Sequence, residues 1–440
     1  MSTLTPTALA DCPSQLRVLV LGYVWPEPNS SAAGRHMLSI LKSFLSVGWD
    51  VIFASPAVQG DHKIDLTTLG IKEQNITLNC ASFDRFVESL QPDIVLFDRF
   101  MLEEQFGWRV AQFCPEALRI LDTEDLHSLR HARHQALKQG RELQPDELNS
   151  DMAKREIASI FRCDLSLIIS AYEYQLLQQH YHVPKDLLLL CPFMIDLNSI
   201  QSPKEAPVSY AQRQHFITIG NFRHEPNWDA VLWLKQAIWP QIRAQLPEAE
   251  LHIYGAYPPK KATQLHNPKQ GFLLKGWAAD AQHVMTRARV CLAPLRFGAG
   301  LKGKLVEAML CDTPSVTTNI GSEGMHGLAD AQDRLPWPGY TVDFAVTQQA
   351  ICAQTFAQRA ITLYQNADIW HTSQTQNKRW LYKHFNAQTL QPQLIQTLCT
   401  LKDTLKAHRS QNFIGQMLQH HALKSTQYMA QWIEAKNRIS

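Results

Sequence analysis

Residues 293–327 read APLRFGAGLKGKLVEAMLCDTPSVTTNIGSEGMHG, and the fold of the whole chain follows from how they are read. They continue an apolar run, Arg289-Val-Cys-Leu-Ala-Pro294, that breaks at Phe297-Gly-Ala-Gly300, the pattern of a strand entering a glycine-rich turn. After the turn Leu301, Leu305, Ala308 and Met309 recur at helical spacing, and Asp312-Thr-Pro314 stops them. The order is strand, loop, helix, strand.

The charges give the turn chemistry. Lys302 and Lys304 fall in the first helical turn, where the macrodipole disfavours a cation by a few tenths to ~1 kcal/mol. An anion bound there removes the conflict. Exposed amides after Gly298 and Gly300, a helix N-terminus and two ammonium groups suit a phosphate or diphosphate. Glu307, further along the same helix, is placed to accept hydrogen bonds from vicinal hydroxyls. A diphosphate beside a diol describes a nucleotide. A ligandless turn, with Lys304 and Glu307 as an ordinary surface pair at i, i+3, accounts for the same residues and stays open at this point.

Composition narrows the class. A chain of 440 residues holds two or three domains, and 45% hydrophobic with 19% charged residues belongs to a globular protein. A net charge of +2 is too small to point to nucleic acid. Nine cysteines, scattered singly without a C-x-x-C, argue against a disulfide framework or zinc site and for a reducing compartment. No apolar run approaches the ~18 residues of a membrane span, so the expected location is the cytoplasm, including the inner face of a membrane.

Read in order, residues 1–14 form a polar leader. Arg17-Val-Leu-Val-Leu-Gly22 is a strand, a loop delivers Asn29, Ser30, Ser31 and Gly34 to a helix over 33–46, and Gly48 to Ala54 returns as the next strand. There is no G-x-G-x-x-G. The Ser and Asn residues equally suit a helix cap. Pro92 to Phe97 and Arg119 to Leu121 are further strands, the latter opening into Asp122-Thr-Glu-Asp-Leu-His-Ser-Leu-Arg130. Acids and a His just after a strand sit at its carboxyl end, where open α/β sheets bind ligands, which makes Asp122, Asp125, His127 and Arg130 candidates. Helix capping and a structural His127 are the alternatives. Residues 131–156 read as a solvated helix pair, Cys163 to Ser170 as a strand with Glu173 in the next helix, and 202–207 as a linker. A second series of strands, His215 to Gly220, Glu250 to Gly255 and Gly271 to Trp277, leads back to the opening stretch. Beyond it 370–385 and 390–405 are helical. Phe413 to Arg438 form an amphipathic tail that can rest on the protein, on a partner subunit or on a membrane surface.

The ordered set Gly298-Ala-Gly300, Lys302, Glu307-Ala308-Met309, Thr313-Pro314-Ser-Val316 and Gly321-Ser-Glu-Gly324 resembles the donor-binding region of GT-B glycosyltransferases of family 4, the group 1 glycosyl transferases. Gly220, Pro226-Asn227 and Gly255 extend the resemblance, which covers roughly residues 16–385. It implies an α/β, GT-B architecture: two Rossmann-like doubly wound parallel-sheet domains facing a central cleft. The expected domains are 15–205 on the acceptor side and 206–385 on the nucleotide-sugar side, with the helical tail 386–440 packing back on the protein. It also implies a retaining, hexosyltransferase-like enzyme that moves sugar from a nucleotide-diphosphate sugar to a polysaccharide, lipid-linked or other glycan acceptor.

On that resemblance Lys302, Arg223, His127 and Asp122 are the candidate catalytic residues. Gly298, Gly300, Leu301, Glu307, Arg296 and Gly220 bind the donor, while Asn29, Ser30, Gly34, Asp125 and Arg130 belong to the acceptor side or its loop. No metal or other cofactor is expected: there is no D-x-D with ligand-like surroundings, and cationic side chains can carry the metal's charge. Two positions depart from the family pattern. Asn221 stands where many members have an arginine for the diphosphate, and Ala299 where many have a sugar-holding glutamate. An epimerase or phosphorylase on the same fold, or a non-catalytic scaffold, are the competing readings.

Overall fold

The computed structural model describes residues 15–200, 208–328 and 334–439. The expected leader and the linker at 202–207, with the boundary near 205, lie outside the described residues.

The first sheet contains β1 (Arg17–Leu21), β2 (Asp50–Ser55), β3 (Lys72–Asn75), β4 (Ile94–Asp98), β5 (Leu118–Asp122), β6 (Leu165–Ile168) and β7 (Leu188–Leu190). Their order is β3-β2-β1-β4-β5-β6-β7, and every pairing is parallel. The second contains β8 (His215–Ile219), β9 (Leu251–Tyr254), β10 (Phe272–Gly276), β11 (Ala288–Ala293), β12 (Ser315–Thr318) and β13 (Gly339–Val342), in the order β10-β9-β8-β11-β12-β13, again all parallel.

The inner strands of both sheets are apolar on both faces because helices cover both. In β1, Val18 and Val20 enter one core, with Ile40, Leu41 and Phe44 of the helix Ala32–Ser46. Leu19 and Leu21 enter the opposite core, with Phe83 and Phe106. The alternation is the strand's period of two made physical. In β11, Val290 and Leu292 face one way and Cys291 the other.

The helical stretch around Pro240 needed an accommodation. Helix Glu225–Trp233 runs into a π-turn over Leu234–Ile238, where Trp239 N–H bonds to Leu234 O, before helix Trp239–Gln245 resumes. A wider turn just before a proline absorbs the carbonyl that its missing N–H cannot reach.

After the helix Ala367–His384 the chain returns to the first domain. Ile195 N–H donates to Phe385 O at 2.8 Å and Ala387 N–H to Ile195 O at 2.9 Å. Leu394, Ile395 and Leu398 of helix Ala387–Asp403 then join the core beneath β1. The last helix, Phe413–Ile439, lies along the helices Phe100–Phe113 and Asp151–Arg162. No described helix is long and apolar enough to cross a membrane.

Candidate active site

The strands of each sheet end in loops that meet between the domains. The loop after β11 leads to the helix Gly303–Leu310, whose N-cap is Lys302 and which no side chain caps. This N-terminus abuts the N-terminus of helix Ala32–Ser46: a Cβ on Gly303 would stand 2.6 Å from Ala32 Cβ, so only glycine permits the approach. Two positive dipole ends from opposite domains therefore converge, and three cations join them. Lys302 is 8% exposed, and its Nζ donates to the carbonyls of Ala299 at 3.1 Å and Gly300 at 2.8 Å. Burial lowers its pKa. Lys304 is half-buried, is pushed down to about 8 by burial, and makes no hydrogen bond or ion pair among the described residues. Arg35 pairs with one oxygen of Glu307. The other, Oε1, is buried without a partner.

The glycine loop is held from the first domain. Gly300 has φ +63°, and a Cβ there would meet Asp125 Cβ at 2.9 Å. Its N–H donates to Glu173 Oε1 at 2.8 Å, which also accepts from Leu126 N–H at 3.0 Å. The expectation that Gly300 binds the donor therefore needs correction at its amide, which Glu173 already engages. Ala299 packs into the first domain's core, and Leu301 packs against Ile169 and Phe193 across the interface. Arg133 forms a two-pronged pair with Glu323, at 2.7 and 2.8 Å, and donates to Gly298 O at 2.8 Å. The Arg133 helix, His127–Lys138, is thus a wall of the cleft rather than a solvated surface. Buried Glu156 accepts from the N–H groups of His127 and Ser128 and caps it.

β4 and β5 bring Asp98 and Asp122 side by side in register. Asp122 is 0% exposed, with His36 Nε2 at 3.6 Å and its own Oδ1 accepting from Glu124 N–H at 3.2 Å. It supports the site from below and does not face the cleft, which corrects its expected place among reacting groups. Burial raises the carboxyl pKa of Asp98 and, with Asp122 and Asp98 nearby, of Glu124. Burial works to raise Asp125 too, but Arg130 and His127 outweigh it and hold that carboxylate low. His127 Nε2 lies 3.2 Å from Asp125 Oδ1, and burial pushes its imidazole down to about 4. The expected group Asp125, His127 and Arg130 is brought together beside Gly300. Arg99 and Glu124 hold non-glycine left-handed backbones, φ +72° and +58°, in this same cluster.

Other expected residues do different work. Arg296 is committed to Asp229, at 2.5 and 2.9 Å, and to Gln349. Gly220 makes room: a Cβ there would meet the Asn227 side chain at 2.7 Å. Arg223 is exposed and lies over the Tyr257 ring at 3.6 Å. Tyr257 in turn donates to Glu27 of the first domain. Ser30 donates to Glu27, Ser31 caps the helix at Gly34 N–H, and Asn29 is exposed. A Cβ on Gly34 would meet the Glu27 backbone at 2.6 Å. Arg35 and Arg133 were not foreseen. The signal for Arg35 was the same as for Lys302, a cation in the first turn of a helix.

Among the described residues no three His, Cys, Asp or Glu side chains are grouped to hold a metal ion. Two parallel-sheet domains with their strand ends facing one cleft define the GT-B fold, and solved structures share it. A glycosyltransferase from Rickettsia africae is 12% identical with a TM-score of 0.59, covering 90% of this chain and 98% of that one. Anabaena HepE in complex with UDP and glucose is 15% identical with a TM-score of 0.61, covering 88% and 100%. WaaG, a glycosyltransferase involved in lipopolysaccharide biosynthesis, is 13% identical with a TM-score of 0.58, covering 87% and 99%. No curated protein sequence matches the chain. Residues 213–366, within the second domain, match the family described as glycosyl transferases group 1.

Proposed function

We propose that the protein is a family 4 glycosyltransferase that moves a hexose from a nucleoside diphosphate sugar to a hydroxyl of a glycan or lipid-linked acceptor, with retention of configuration. One observation carries the reading. Two helix N-termini meet across the cleft, ringed by Lys302, Lys304 and Arg35, and a buried Glu307 oxygen beside them lacks a partner. The cations and dipoles suit the diphosphate, and the free Glu307 oxygen suits a ribose hydroxyl. Relatives of the fold are seen with UDP and glucose, which agrees with this use of the cleft.

In the proposed reaction the acceptor oxygen bonds to the anomeric carbon as the bond to the diphosphate breaks, and the acceptor's proton passes to a diphosphate oxygen on the same face. Lys302, Lys304 and the helix amides stabilise the leaving charge, an effect that can be worth several kcal/mol. These cations supply the charge a divalent metal otherwise brings, so we assign none. His127 with Asp125 and Arg130 lines the sugar side, and Asp122 acts through His36 and Glu124. Arg223 reaches the diphosphate only by leaving Tyr257.

The test is calorimetric titration with UDP, GDP, ADP and their common sugars, followed by nuclear magnetic resonance of the anomeric configuration in the product. Selective binding of one nucleotide and a product of retained configuration are expected. Folded protein that binds none of the panel would favour the scaffold reading, and donor turnover without an acceptor the epimerase or phosphorylase.

A further inference from the structure

The last helix, Phe413–Ile439, leaves one side uncovered. Gly415 and Ala430 are buried against the first domain, and a Cβ on Gly415 would meet Phe161 O at 2.2 Å. Phe413, Ile414, Met417, Tyr428, Met429 and Trp432 point the other way and are exposed, Phe413 by 73% and Trp432 by 60%. At about 3.6 residues per turn all six fall within one half of the helix circumference, and at ~1.5 Å per residue they stretch along roughly 28 Å. Single exposed apolar residues need no explanation, but six on one helical face do.

The charges say what covers it. The helix sequence holds a single carboxylate, Glu434, and it is turned inward: its side chain is 18% exposed, accepts from Ala81 N–H at 3.3 Å and pairs with Arg438 at 2.8 Å. Lys424 and Lys436 stand exposed, Lys436 with its ammonium 5.4 Å above the Trp432 ring. Aromatic and aliphatic groups flanked by lysines, with no outward acid, match the boundary between acyl chains and anionic headgroups. A second copy of the chain would bring the same lysines against themselves.

We propose that this face of the last helix lies on an anionic lipid bilayer, holding the first domain, and with it the acceptor side of the cleft, against the membrane. The full-length protein is sedimented with vesicles of phosphatidylcholine alone or mixed with phosphatidylglycerol. It should bind the mixed vesicles, release them as salt rises, and bind the neutral ones weakly. Lys424→Gln with Lys436→Gln should weaken binding about thirtyfold, the loss expected for two basic groups at an anionic surface. Trp432→Ser with Met429→Ser should abolish it, with melting temperatures unchanged for both variants. Absence of binding to mixed vesicles, or binding indifferent to both variants, overturns the proposal. So does a dimer in sedimentation equilibrium that Trp432→Ser turns into monomer, which would assign the face to a second copy.

Discussion

Replacing Lys304 with methionine separates binding from stability. Its ammonium ordinarily titrates near 10.5 and is lowered by burial to about 8. A lysine lowered in the folded state costs stability while it is charged: the cost is full below about 8, fades as pH rises from there to the ordinary value, and is gone above it. The shift corresponds to roughly 3 kcal/mol at neutral pH. The side chain is only half-buried, so solvent screening reduces this to about 1–2 kcal/mol. Lys304→Met should therefore raise the melting temperature by a few degrees, at about 2–4 °C per kcal/mol for a domain of this size. Binding should move the other way. A charge-assisted contact to a diphosphate is worth about 1.5–3 kcal/mol, or roughly 10- to 150-fold in affinity. Calorimetry at neutral pH with UDP, or whichever nucleoside diphosphate the panel selects, measures one effect and scanning calorimetry the other. The wild-type protein should also lose affinity as pH rises through about 8, a step absent from the variant. A variant that melts lower and binds equally well would make Lys304 a structural residue and remove it from the diphosphate site.

Glu307→Gln should weaken nucleoside diphosphate binding by about 5- to 30-fold without weakening inorganic diphosphate, because the ribose contact is lost while Arg35, released from its ion pair, stays available to the diphosphate; equal losses for both ligands would place Glu307 elsewhere. Glu173 carries a carboxyl that burial and Asp125 raise to about 8. A raised carboxyl binds its proton more tightly when folded, so wild-type stability should decline as pH rises from the ordinary carboxylate range to about 8, and Glu173→Gln should flatten that decline. Parallel melting curves for the two proteins across this window would refute the assignment. Arg296→Met breaks the pair with Asp229 and should cost about 2–3 kcal/mol in a chemical denaturation series. Nucleotide affinity should be unchanged, and a tenfold loss would return Arg296 to the donor site.

The strands that stood out most plainly in sequence were those buried on both faces. Arg17–Leu21, Ile94–Asp98 and Ala288–Ala293 are apolar because helices cover each side, and their runs stand out against any neighbour. Lys72–Asn75 and Gly339–Val342 left no such trace. Each is an edge strand paired along one side only, and the sequence KEQN of the first carries no apolar residue at all. Their placement comes from backbone pairing with β2 and β12, which no side-chain pattern announces.

The site divides along the same line. The anion-binding end of helix Gly303–Leu310 was legible because Lys302 and Lys304 contradict the local preference of a helix N-terminus, and a contradiction within five residues is visible in sequence. What closes the cleft was not legible, because its partners lie far apart. Arg35 meets Glu307 across 272 residues and Arg133 meets Glu323 across 190. Each looks like an ordinary helix surface charge until two sheets are set face to face. Arg296 shows the converse error: its closeness in sequence to Gly298 suggested the donor, but its side chain leaves the loop for Asp229 on the neighbouring helix. Asp122 repeats the lesson at the other sheet. The carboxyl end of a strand is where ligands bind, yet a residue still within the strand points along the pleat, and Asp122 is sealed beneath the surface against His36 while Asp125, three residues on, reaches the cleft. Local conflict reveals a site, and topology decides which of its neighbours take part.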